Sequence, residues 1–413
     1  MSKLGGMVIS TVGVVALSAS ACSGEPGEST GASAEALSAG GPIAGLTSAQ
    51  LAAFNTGATA FNEVETIPQG LGPVFNEKSC GTCHDIGAEG GSGSQIETRA
   101  GRLVNGVFNP LTSEGGSLFR HFGIGGQVPN RACTTTGEVV PADANVTAGR
   151  VTVPLFGDGL VDATPDSTFQ NIAGGQPSAI RGTAPQVPDV AHGGTRVGKF
   201  GWKDQEPNLF DFAGDAYVNE MGITNPLFPN EHAPQGSATM LANCDSNSGV
   251  STPDPEDDGT DIANFTTFMQ FLAPPPRGSI TSQVTAGDAI FSRIGCDGCH
   301  VRSITSGTAH DVNGNTVAAL SNVTYHPFGD FLMHDMGSLG DNIDQGTGLT
   351  KMRTAPLWGL RFLNPNTLLH DGRAHSPQQA IQMHAGQGAA AAAAFNALSS
   401  NDQNNLFSFL MSL

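Results

Sequence analysis

The sequence predicts a mainly α chain with long loops and few short strands, and three observations carry that reading. The 413 residues include 55 Gly and 25 Pro, so turns and loops take up much of the chain and helices are short. Helix-start signals stand ahead of apolar residues at helical spacing near both ends of the chain. A pentapeptide, C-x-x-C-H, occurs twice. Hydrophobic residues make up 38%, enough for a packed core, and the length suits two or three domains. Eighteen basic residues against thirty-seven acidic ones give a net charge of −19. A nucleic-acid binder needs phosphate-neutralising Lys and Arg, and a polybasic membrane anchor needs the same residues; both classes are excluded.

The elements follow in order. Residues 1–22 hold one Lys, an apolar run from Met7 to Leu17 and small residues ending at Cys22. The run is too short to span a bilayer and reads as a signal peptide. Cys22 is either a lipobox-like cysteine carrying a lipid anchor or an incidental neighbour of an Ala19-Ser20-Ala21 cleavage site. Either way the mature chain is expected in the periplasm, free or anchored to the outer membrane. Residues 23–45, rich in Gly, Ser, Ala and Glu, read as a flexible linker. No later segment is long and apolar enough to be transmembrane. Thr47 and Gln50 form a capping box ahead of Leu51, Phe54, Ala58 and Phe61. Asp254-Pro255-Glu256-Asp257-Asp258 reads as a solvated turn rather than a calcium loop. Pro274-Pro275-Pro276 marks a break between residues 46–275 and 276–413. Thr285-Ala286-Gly287-Asp288 opens a helix on which Gly287 lets a second helix cross closely. Ser376 before Pro377 opens another, running to His384, and Ala389–Ala394 favours a short one. Ser399 and Asp402 cap a last helix with Leu406, Phe407, Phe409, Leu410 and Leu413 on one face.

The repeated pentapeptides are Cys80-Gly81-Thr82-Cys83-His84 and Cys296-Asp297-Gly298-Cys299-His300. Two thiols one turn apart can add to the two vinyl groups of one haem, and the adjacent His then lies under the iron. A zinc site would need a fourth ligand at matching spacing, and a thiol-redox site a βαβ setting. Neither is present in the sequence, so two covalently bound haem c groups are expected. The second motif, framed by a preceding Gly- and Phe-bearing helix and a closing apolar helix, has the layout of a cytochrome c domain, and the similar lead-in helix of the first motif gives two in tandem. Cys133 and Cys244 remain, as a disulfide or as two separate buried thiols.

Six further segments, in order, make the chain resemble the bacterial di-haem cytochrome c peroxidase superfamily, and within it the di-haem oxidoreductase branch. They are Gly72-Pro73-Val74-Phe75-Asn76, Phe200-Gly201-Trp202-Lys203, Glu220-Met221-Gly222-Ile223-Thr224, His334-Asp335-Met336-Gly337, Arg353 through Gly359, and His370-Asp371-Gly372-Arg373. The resemblance spans residues 46 to 413. It implies that Trp202 bridges the two haems and that Glu220 serves the distal face of the first as an acid–base group. It implies a sixth ligand for the second iron shortly after the His370-Asp371-Gly372 segment. That position falls on His384, with Met383 beside it; His would give a low potential and Met a higher one. His121 and His192 are the candidates for a distal ligand on the first iron, which is expected to be five-coordinate. His334, Met336, His370 and His375 read as structural or haem-edge residues. One departure stands out. Peroxidase relatives carry a distal Gln between the Trp and the Glu, whereas this chain has Asp211-Phe212-Ala213-Gly214-Asp215, and Gln205 lies too close to Trp202 to match. A drier, Phe-lined pocket without an amide donor is expected. Relatives also hold a calcium ion near a segment corresponding to Thr354-Ala355-Pro356.

The reading is therefore an exported di-haem oxidoreductase. Electrons from a small redox protein or other donor enter at the second haem, held by His300 and His384. Trp202 passes them to the first, held by His84, where peroxide or oxygen is reduced with help from Glu220. Two rivals are a di-haem electron carrier with both irons six-coordinate and a haem-dependent oxygenase acting on an organic substrate.

Overall fold

The computed structural model describes residues 39–128, 132–245 and 255–413. The signal peptide with Cys22, most of the linker and Asp254 lie outside the described residues. Two helix crossings organise the rest, and each lies beside one C-x-x-C-H motif.

The first crossing pairs α1 (Ser48–Phe61) with a helix near the middle of the chain. Thr47 closes the start of α1 as its sequence indicates. Its hydroxyl accepts from the Gln50 N–H at 3.2 Å, and the Gln50 side chain accepts from the Thr47 N–H at 2.9 Å. Phe54, Gly57 and Phe61 make the buried stripe, while Leu51 is exposed. After α2 (Leu209–Ala216) comes the partner, α3 (Thr260–Phe271), started by Asp257, whose carboxylate accepts from the N–H groups of Gly259, Asp261 and Ile262. The acidic stretch is thus no solvated turn throughout: Asp257 is buried because three otherwise orphaned amides need an acceptor. The crossing is close because Gly57 has no side chain. A Cβ there would sit 2.5 Å from the Asn264 carbonyl oxygen. Phe61 meets Phe268 tilted and Phe54 stacks on it, with ring centres 4.6 and 5.3 Å apart.

The second crossing repeats this design with α4 (Ser282–Arg293), α5 (Pro377–Gln382) following at a distance, and α6 (Ser400–Leu410). Gly287 is the close-approach point, where a Cβ would lie 2.0 Å from the Asn405 carbonyl oxygen. Phe291 and Phe409 meet at 5.2 Å, both almost fully buried. Each is worth about 2–3 kcal/mol in water-excluded apolar surface. The capping expectation for α4 is corrected: the cap is Thr281, whose hydroxyl accepts from Val284 N–H at 3.2 Å. Thr285 lies inside the helix and bonds its hydroxyl back to the Thr281 carbonyl. Ser399 and Ser376 cap α6 and α5 as expected.

Strands are short except in one place. β1 (Ile96–Val104) pairs antiparallel with β2 (Val107–Asn109), β3 (Leu118–Phe119) and β4 (Val146–Val151), forming a four-stranded sheet beside the first motif. The larger hydrophobic core gathers α1, α2 and α3 and extends to Ile304, Leu320, Tyr325 and Leu332, beyond the proline run. A second cluster surrounds α4 and α6. Cys133 and Cys244 form a disulfide spanning 111 residues. Among the described residues, no helix is long and apolar enough to cross a membrane.

Candidate functional site

Cys80, Cys83 and His84 line a cavity of about 200 Å³, partly open to solvent, which also receives Trp202, Glu220, Phe200, Phe212 and Met221. The expected catalytic and bridging residues of the first site are therefore brought together. His192 is not among them; it lies on an exposed loop against Asp189. His121 does line the cavity, with its Nε2 engaged by the Thr98 hydroxyl at 3.0 Å.

The three histidines expected to ligate iron share one geometry. Nδ1 of His84 faces the Gly91 carbonyl at 3.0 Å, Nδ1 of His300 the Phe328 carbonyl at 2.9 Å, and Nδ1 of His384 the Ala380 carbonyl at 2.8 Å. A carbonyl oxygen only accepts, so in each case Nδ1 carries the hydrogen and Nε2 is the unprotonated nitrogen of the neutral ring, although the Val153 carbonyl also bears on the His84 ring. That is the tautomer a metal ligand requires, with its ring orientation fixed from behind. Desolvation pulls His84 and His300 down to about 4 and lowers His384, so all three are neutral at pH 7. A charge on His384 would lower His300 further, which puts the two rings in the same neighbourhood. Met383, the neighbour weighed against His384, is 37% exposed.

The cysteine pairs fit attachment rather than redox exchange. None of the four is in a disulfide. Desolvation pushes the Cys80 thiol far up and those of Cys83 and Cys296 to about 12, the reverse of what a reactive thiolate needs. Taken with the histidine tautomers, the donor set suits two haem groups.

Glu220 sits on a π-helical turn (Tyr217–Met221) that continues α2 and ends at Gly222 in the left-handed region, φ 73°. Such wide turns recur at functional sites because they re-aim a side chain. Asn76 clamps it twice. Its side-chain N–H donates to the Glu220 carboxylate at 2.7 Å, and its backbone N–H donates to the Glu220 carbonyl at 2.7 Å. Desolvation, with the nearby Glu97 charge adding to it, raises Glu220 to about 7.

The expectation of a pocket without an amide donor is overturned, while its Phe-lined, mostly apolar character holds. Phe200 and Phe212 are present, but so are Glu97, Arg99, Arg150, Asp215 and the amides of Asn76, Gln205 and Asn219. Gln205, set aside on spacing, reaches the cavity because the chain turns sharply at Asp204, φ 49°; its Oε1 is buried without a partner among the described residues. Asp211, by contrast, turns away to accept from the N–H groups of Val190 and Ala191. Sequence reasoning missed Glu97 and Arg99, which lie on β1 in a segment without a motif. Asn76 stood in a quoted segment, and its place four residues before Cys80 was the available signal.

Trp202 donates its indole N–H to the Val151 carbonyl at 2.9 Å. The next residue, Lys203, is fully buried, its ammonium held by the carbonyls of Gly348, Leu349 and Lys351 at 2.7–3.1 Å and by Asp341 at 2.8 Å. Arg150 grips the same carboxylate at 2.8 Å, so strand β4, the Trp202 turn and residues 341–351 are tied together. His334 lies 3.6 Å from the Cys299 sulfur and 3.0 Å from Asp330. Desolvation opposes its charge, yet the hydrogen bonds to Asp330 and Cys299 hold it protonated up to about 10. It is thus placed at the edge of the second motif. Cys299, Asp330 and His334 also form a potential metal-holding group among the described residues. Thr354–Pro356 is not part of it.

A family model described as "Di-haem oxidoreductase, putative peroxidase" matches residues 131–413. The match takes in Trp202, Glu220, the second C-x-x-C-H motif and His384, and begins after the first motif. No curated protein matches the sequence. Among solved structures, the hydrazine synthase of Kuenenia stuttgartiensis, pressurised with 20 bar xenon, is 14% identical, with 94% of this chain and 100% of that chain covered at a TM-score of 0.38. A MauG-like protein associated with microbial copper homeostasis is also 14% identical, with 89% of each chain covered at a TM-score of 0.39.

Proposed function

The chain belongs to the di-haem oxidoreductase family, and from that premise we propose that it is an exported enzyme that reduces peroxide, with oxygen as the alternative oxidant, at the site holding Cys80, Cys83, His84 and Glu220. One haem c would be attached in residues 46–275 through Cys80 and Cys83 with His84 beneath its iron. The other would be attached in residues 276–413 through Cys296 and Cys299, between His300 and His384. When bound, these groups supply irons that exchange electrons, and the first, with an open face, supplies a place for the oxidant.

The observation that carries the proposal is that Glu220 shares one cavity with His84. Reducing peroxide to two waters takes two electrons and two protons. Glu220, poised near neutrality and held by Asn76, takes a proton from one peroxide oxygen and returns it to the other, which makes the O–O bond easier to break. Trp202, fixed by Val151 and by its neighbour Lys203, supports the reading of a relay between the two sites. His384, with its free Nε2, closes the second site to exogenous ligands. The electron donor is expected to be a small redox protein.

The test uses protein matured in a bacterium competent in haem attachment. Mass analysis is expected to show two added haems, and peroxide is expected to oxidise a reduced donor catalytically. Two haems with no turnover by peroxide would favour the electron carrier. Turnover of an organic substrate with oxygen alone would favour the oxygenase.

A further inference from the structure

We propose that Arg99 is the anion-holding pole of the Glu220 cavity, binding a small anionic ligand of the hydroperoxide class through its two terminal amino groups. The inference deepens the proposed function and rests on its reading that the His84 site has an open face.

Glu97 and Arg99 are two residues apart and share one face of β1, and both line the cavity. In the paired strand β4, Arg150 stands opposite Glu97, while the small Ala148 stands opposite Arg99 and leaves it room. Four arginines are close by: Arg353, also on the cavity wall, gives its Nε to the Gly201 carbonyl at 2.8 Å and its charge to the buried Asp204 and Asp158, and two others are already committed. Arg150 donates to Asp341 at 3.1 and 2.8 Å and also to Gln345. Arg120, fully buried, donates to the Asn219 carbonyl at 3.0 Å, the Asn219 side chain at 2.9 Å and Glu138 at 3.2 Å.

Arg99 differs. Its Nε pairs with Glu97, which fixes the plane of the guanidinium, and its terminal amino groups have no hydrogen-bond partner among the described residues. The side chain is only 13% exposed, so these donors face the cavity rather than open solvent. A guanidinium presents paired N–H groups in a rigid fork suited to a small anion, and the low dielectric of the site strengthens the contact. Its charge also reaches Glu220, favouring the carboxylate that accepts the proton.

The test measures ligand affinity of the ferric holo-protein by optical titration with two probes. Fluoride is a small anion that calls on hydrogen-bond donors; imidazole is a neutral ligand that does not. In R99L, fluoride affinity is expected to fall at least about tenfold while imidazole affinity stays within about twofold. R99K, which keeps the charge and loses the fork, is expected to fall between. Because imidazole reports an intact site, it separates a lost contact from a lost fold, and R99K serves if R99L does not load haem. Unchanged fluoride affinity in both variants would overturn the Arg99 assignment alone. Wild-type protein that binds neither probe would overturn the open site and the assignment with it.

Discussion

The Trp202 indole meets the His370 ring edge-on, with ring centres 6.1 Å apart and planes at 69°. Both are set by one residue. Val151 accepts from the indole N–H through its carbonyl at 2.9 Å and donates its own N–H to the His370 carbonyl at 2.8 Å. His370 is buried, desolvation draws it down to about 4, and its Nε2 has no hydrogen-bond partner among the described residues. A large aromatic ring is thereby fixed at the end of strand β4, on the wall of the first cavity. Trp202→Phe keeps an aromatic ring, though a smaller one, and removes the indole N–H. It is expected to retain both haems and slow electron transfer between them by about tenfold or more, as read by stopped-flow after rapid reduction. An unchanged rate would remove Trp202 from the path.

Glu220 carries the pH dependence. Its ordinary value is 4.5 and its folded value is raised to about 7, mainly by desolvation. The carboxylate is the proton acceptor, so peroxide turnover is expected to rise with pH through about 7. Glu220→Gln is expected to lower turnover by about 10²- to 10⁴-fold and erase that inflection. Stability runs the other way. Between 4.5 and 7 the folded state holds a proton that the unfolded state releases, so this group's contribution falls as pH rises through that window. Urea titrations of the Gln variant are expected to lack that fall.

His384→Met tests the second site by redox titration and optical spectroscopy. Exchanging imidazole for a thioether is expected to raise the reduction potential of one haem and leave the other in place. His384→Ala is expected to convert that haem to a high-spin form. A spectrum unmoved by either change would place the sixth ligand elsewhere.

Lys203→Met removes an ammonium from three carbonyls and the Asp341 carboxylate. Taking one partner from a buried pair costs about 3–5 kcal/mol, and chemical denaturation is expected to show a loss of that order. Gly287→Ala is expected to cost about 1–3 kcal/mol, since its new methyl would meet the Asn405 carbonyl where two helices cross. Thermal melts of both variants check these values.

Legibility followed the range of the interactions. Thr47, Ser376 and Ser399 act within three residues of themselves, so their helix starts could be read directly. The cap of α4 was misplaced by four residues because Thr285 and Thr281 carry the same chemistry and only packing of Val284 and Gly287 sets the start. Gly287 was read correctly as a crossing point, yet its counterpart Gly57 was not, because the helix it meets, α3, begins in an acidic stretch that looked like surface. His84, His300 and His384 were singled out through motifs. Their Nδ1–carbonyl bonds were not, since Gly91, Phe328 and Ala380 contribute only backbone. The polar wall of the first cavity was hidden for a related reason. Glu97 and Arg99 lie more than a hundred residues before Glu220 and meet it only in the folded cavity, and no local pattern encodes that meeting.

The central claim is two haems in unlike states, one open beside Glu220 and one closed between His300 and His384. Low-temperature EPR of the fully oxidised holo-protein tests it most directly. The account expects one high-spin ferric signal, perturbed by fluoride, together with one low-spin bis-histidine signal. Two low-spin signals indifferent to fluoride would contradict it.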